Sequence, residues 1–96
     1  MLELRPDAGF CIVDHIVIKT IPVTDQCYAF DTMTGDHFSL NHTAWWLLER
    51  LKQPTIFRDL ESDYINNFSI RRDLASRHLS EAMTFFIENA LIKEVM

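Results

Sequence analysis

Glycine, proline and cysteine are all scarce in these 96 residues, at two, three and two copies. So few Gly and Pro leave little room for long loops, because these residues are the main punctuation of connecting segments. Two cysteines, Cys11 and Cys27, do not make a disulfide framework. They read as free thiols, small hydrophobes in a reducing compartment. The one glycine with turn-forming company, Thr34-Gly35, belongs to no phosphate loop, since neither GxGxxG nor a Walker pattern is present. No serine sits in a nucleophile elbow. Cys11 or Cys27 with His15 would be the thiolate–imidazole pair to consider, and strand positions in a small acidic domain give it no pocket. His15, His37, His42 and His78 show no HxxxH, HxH or CxxC spacing, so no metal site is expected, and no cofactor. No apolar stretch approaches the ~20 residues that span a bilayer. The start, MLELRPDAGF, lacks a basic segment followed by an apolar run. The expectation is a cytoplasmic protein with no membrane partner.

Positive charge is also short. Nine Lys and Arg against 14 Asp and Glu give a net charge of −5. Affinity for nucleic acid comes largely from cations neutralising phosphates, so a nucleic-acid partner is not expected from the total. Arg58, Arg71, Arg72 and Arg77 nevertheless gather in the C-terminal half and leave a local basic face open. What the chain has in plenty is apolar residues, 48% of the total with 24% charged, an ordinary globular composition. A chain of this length buries roughly 60 to 65% of its unfolded surface, enough for one modest core and one domain over residues 1–96.

The segment Phe10 to Ile21, FCIVDHIVIKTI, is rich in β-branched residues and reads as one long strand or two short ones broken near Asp14-His15. Pro22 to Gln26 is a turn. Tyr28 and Phe30 alternate with Ala29 and Asp31, the period of a half-buried strand over Cys27 to Thr32. Thr34-Gly35 then turns the chain, and Phe38 and Leu40 resume the alternation over Asp36 to Leu40. The expected product is a three-stranded antiparallel meander.

At Asn41 the period changes. Its side chain can cap the amides of a following helix, in which Leu40, Ala44, Leu47, Leu48 and Leu51 recur at helical spacing. Lys52-Gln53-Pro54 ends that helix. Thr55 caps a second, with Ile56, Leu60 and Tyr64 on one face and Asn66-Asn67 at its end. A third begins at Ser69 or Asp73. Its apolar stripe is Leu74, Ala75, Leu79, Ala82, Met83, Phe86 and Ala90. Three strands followed by three helices is an α+β order. The second and third helices beside a sheet outline a winged helix-turn-helix-like domain.

Three features are open to two readings. Trp45 and Trp46 point about 100° apart on a helix, so both can pack, or one can lie exposed as a contact surface. Arg71, Arg72 and Arg77 at the start of the third helix are a solvated face or a contact for an acidic partner. The third strand, HFSLN, is either a protected edge or one that accepts an extended peptide.

The order Asp31, Thr34-Gly35, Phe38, Leu40-Asn41, Thr43-Ala44, Leu47-Leu48 and Leu51 resembles the PqqD family of peptide chaperones, also called RiPP precursor recognition elements. Pro54-Thr55 with Ile56 and Leu60 resembles the start of that family's second helix. Leu79, Met83 and Phe86, followed by Leu91-Ile92, resemble its third helix and closing segment. The hairpin wording FDTMTGDHFSLN is closest to the branch found beside HPr-kinase-related proteins. The likeness runs from Tyr28 to Val95. It departs at Ala90, where the family often has Gly and where Asn89 is left to form the cap. It departs again at His78, where the family tends to an acid.

The resemblance implies a non-catalytic module that binds the leader segment of a ribosomally made precursor by β-augmentation and presents it to a modifying enzyme of the same pathway. It implies a groove between the third strand and the third helix. His37, Phe38, Ser39 and Leu40 are the candidate residues on the strand, and Leu74, Arg77, His78 and Glu81 those on the helix. A homodimer is left open. Two other readings compete: a winged-helix DNA-binding domain, and a structural subunit that holds a partner enzyme without reading a peptide.

Overall fold

The computed structural model describes residues 4–95. The chain runs β1 (Gly9–Ile12), β2 (Ile16–Ile21), β3 (Gln26–Asp31), β4 (His37–Leu40), α1 (His42–Arg50), β5 (Thr55–Ile56), α2 (Phe57–Phe68), α3 (Arg72–Glu88) and β6 (Ile92–Glu94). The architecture is α+β and winged-helix-like, as the order of sequence periods predicts. The β-branched run from Phe10 breaks into two strands at Asp14-His15. β2, β3 and β4 form an antiparallel meander in that order.

A second small antiparallel sheet, ordered β5-β1-β6, lies outside the sequence-based expectation. It pairs Phe10 with Thr55 on one side and with Glu94 on the other. Thr55 is therefore a strand residue and not the cap of α2. Its hydroxyl donates to the carbonyls of Gln53 (2.9 Å) and Arg50 (3.4 Å), and Ile56 takes the cap position without a side-chain bond.

The β3–β4 hairpin is organised by Asp31. One oxygen of its carboxylate accepts from the backbone N–H of Met33 (2.9 Å) and Thr34 (3.1 Å). The Asp31 carbonyl accepts from Gly35 N–H at 2.8 Å, and Asp31 N–H donates to the Asp36 carbonyl at 2.8 Å. Gly35 is thus the extra residue of a bulge, at φ +83°, a region that costs a side-chain-bearing residue strain. His15 Nε2 lies 3.5 Å from the other carboxylate oxygen. Burial alone would raise the Asp31 carboxyl. The Met33 and Thr34 amides and the nearby His15 outweigh it and hold the carboxyl below its ordinary value.

Asn41 caps α1 as its sequence position predicts, accepting from Ala44 N–H at 2.8 Å. α1 then buries Leu47 and Leu48, α2 buries Leu60 and Tyr64, and α3 buries Ala75, Leu79, Met83 and Phe86. These meet the inner face of the meander, where Cys27, Ala29 and Leu40 are buried, in one continuous core.

α3 ends in a Schellman motif. Leu91 N–H returns to the Phe86 carbonyl (2.8 Å) and Ala90 N–H to that of Ile87 (3.1 Å). Asn89 is the cap, and Ala90 adopts φ +57°, where glycine is the usual occupant.

Both tryptophans are half-buried. Trp46 packs edge-on against Tyr64 and Phe68, with ring centroids 5.8 and 5.4 Å away, and Arg50 lies over its ring at 5.4 Å. Trp45 stacks on His42 at 6.0 Å. No helix among the described residues is long and apolar enough to cross a membrane.

Candidate functional site

β4 is an edge strand, hydrogen-bonded to β3 alone. Which of its backbone groups stay free follows from parity. In an antiparallel pair, opposed residues alternate between exchanging hydrogen bonds and exchanging none. Asp31 N–H bonds the Asp36 carbonyl, so the bonded pairs of β3 with β4 continue as Ala29 with Phe38 and Cys27 with Leu40. On the other side of β3, Thr32 N–H bonds the His15 carbonyl at 2.9 Å, which assigns Phe30 and Tyr28 to β2. Both ladders agree. The N–H and C=O groups of His37 and Ser39 therefore point away from β3, along the open edge.

That edge borders a cleft of about 440 Å³ between β4 and α3. Ser39 and Leu40 form the strand side, and Asn41, Thr43 and Ala44 at the start of α1 close one end. His78, Glu81, Ala82, Phe85 and Phe86 form the helix side. β4 and α3 run past one another in opposite directions. Phe38, early in β4, meets Phe85 late in α3 edge-on at 6.2 Å. Thr43, just after β4, shares the Tyr64 hydroxyl with His78, whose Nδ1 lies 3.2 Å from that oxygen. The cleft is thus apolar at the Phe38–Phe85 end and polar at the Asn41–His78 end. Burial pushes the Tyr64 phenol up, and the Thr43 hydrogen bond offsets part of the rise.

Of the residues singled out from sequence, the cleft takes in Ser39, Leu40, His78 and Glu81, and Phe38 borders it through Phe85. His37 faces the outer side of the sheet, among Phe30 (5.8 Å) and Tyr28 (6.3 Å). Leu74 lies on the same helical stripe as His78 but one turn earlier, and the cleft does not extend to it. Arg77 is exposed and lies outside it.

Sequence reasoning passed over Phe85 altogether. It is 42% exposed and lies four residues beyond Glu81 on the cleft-facing stripe. Continuing the His78–Glu81 spacing by one turn would have found it.

Two of the four clustered arginines lie against carboxylates. Arg72 pairs with Glu61 at 3.0 Å, and Arg71 lies 3.6 Å from Asp73. No group of three or more His, Cys, Asp or Glu side chains positioned to hold a metal ion occurs among the described residues.

No protein-family model matches the chain, and no curated protein does. Among solved structures, the fold is similar to one described as lasso peptide synthetase B1 complexed with the leader peptide. The TM-score is 0.71 at 20% identity, over 88% of this chain and 96% of that one. At such identity the likeness is one of fold.

Proposed function

We propose that this chain is a non-catalytic, PqqD-like module that captures the leader segment of a ribosomally made precursor as an added strand on β4, and hands the precursor to a modifying enzyme. The observation that carries this reading is the open edge at His37 and Ser39 lying directly beside a cleft on α3. Backbone groups there can supply affinity through main-chain hydrogen bonds, and the cleft can receive alternate side chains, the two halves of strand-addition recognition. The sequence resemblance and a fold shared with a protein solved with a leader peptide support the same reading. A duplex-DNA reading has less support, because Arg71 and Arg72 lie against carboxylates and the chain is acidic overall.

The test is amide chemical-shift mapping of the isotope-labelled chain against synthetic peptides encoded by short reading frames beside its gene. The expected result is a set of shifts centred on His37, Ser39 and the cleft face of α3. No shifts there at sub-millimolar peptide would overturn the proposal.

A further inference from the structure

A strand added to β4 has its own parity, and the cleft is not uniform along it. The ligand residues directly opposite His37 and Ser39 carry their side chains to the outer face of the sheet, beside those two residues. Ligand residues opposite Phe38 and Leu40 point inward, to the cleft. These inward positions are two residues apart, about 7 Å along the strand. One lies at the Phe38–Phe85 contact and meets only aromatic surface. The other lies toward Asn41, His78 and Glu81.

At that second position the side-chain acceptors of Asn41 and His78 are already engaged. Asn41 Oδ1 accepts from the Ala44 amide (2.8 Å) and the Thr43 hydroxyl (2.9 Å). His78 Nδ1 is taken by Tyr64. Glu81 is left, an exposed carboxylate with no ion pair among the described residues, not even with Arg77 one turn away. It is the one fixed charge among the residues that line the cleft.

Resting on the strand-addition reading, we infer that Glu81 makes the site selective for segments that place a Lys or Arg two residues from an apolar side chain, and that it disfavours an acid at the basic position. The apolar residue seats on Phe38 and Phe85. The cation reaches the Glu81 carboxylate, which can accept hydrogen bonds and cannot donate them. An exposed ion pair alone is worth little, so the discrimination is modest: about fivefold between Lys and Glu in the ligand, shrinking at high salt.

The experiment selects displayed random peptides on the full chain and, in parallel, on Glu81→Lys, an exposed substitution on a helix surface. Peptides enriched on the wild type are then mapped by amide shifts. The expected outcome is a basic residue and an apolar residue two positions apart on the wild type, changing to an acidic one on Glu81→Lys. Their order along the peptide reports whether the added strand is antiparallel or parallel. Peptides that shift the His37 and Ser39 amides but show no charge preference, or keep the same preference on Glu81→Lys, overturn this inference and leave the strand-addition reading standing. No enrichment, or enriched peptides that leave those amides unmoved, overturns both.

Discussion

Replacing Ser39 by proline tests the parity of β4 and its use as a docking edge together. Ser39 N–H points away from β3, so its loss removes no bond of the existing ladder. The residue is exposed, and proline is tolerated on an edge strand whose N–H faces solvent. Phe38, just before it, is already extended, as a residue preceding proline prefers. The domain should therefore lose no more than about 1 kcal/mol. A bound strand would lose more. One hydrogen bond is worth a net 0.5–1.5 kcal/mol or so, and the proline ring also obstructs a neighbour at about 4.8 Å. Together these predict affinity at least about tenfold weaker.

Phe38→Pro is the control. Phe38 N–H points inward to the Ala29 carbonyl, and Ala29 is fully buried, so orphaning that acceptor costs about 1–3 kcal/mol before any loss of Phe38 packing. Thermal unfolding and fluorescence anisotropy with a labelled peptide read out both variants. Wild-type binding by Ser39→Pro would refute strand addition. A severely destabilised Ser39→Pro beside a stable Phe38→Pro would show that the parity is reversed.

Ala90→Gly should stabilise the domain by about 1 kcal/mol, because the left-handed conformation at this position penalises a Cβ; an unchanged or lower melting temperature would contradict the cap described. Asp31→Asn keeps an acceptor for the Met33 and Thr34 amides but removes the charge. Because the folded Asp31 value is depressed, the wild type's advantage should be present above the ordinary carboxylate range and vanish as pH falls through the depressed value. Equal acid-unfolding curves for the two proteins would count against that. Leu79→Ala, at a fully buried site, should cost about 2–5 kcal/mol in chemical denaturation; a cost below about 1 kcal/mol would mean that α3 does not pack as described.

The meander and the three helices were legible because each spans several turns or alternations of its period, as from Cys27 to Leu40 and from Leu74 to Phe86. Asn41 was legible because a cap needs one residue of the right chemistry. β5 and β6 were not, since two or three residues carry no period, and their existence depends on β1 arriving between them from far away in sequence. The same reason explains the cleft. Ser39, Leu40, His78 and Glu81 sit together only because β4 and α3 run in opposite directions. That directionality places Phe85 beside Phe38 and leaves Leu74 beyond the end.

The pairing of Phe10 with Glu94 and of Gly9 with Val95 has a consequence for how the chain is made. These contacts close a loop of more than 80 residues, at an entropic cost of roughly 4 kcal/mol, so they form late, after the meander and helices have shortened the path. On the ribosome β1 must wait, unpaired on one side, until β6 emerges. Hydrogen exchange should find the amides of β1 and β6 opening as one unit, and a lesion in either should be felt at both.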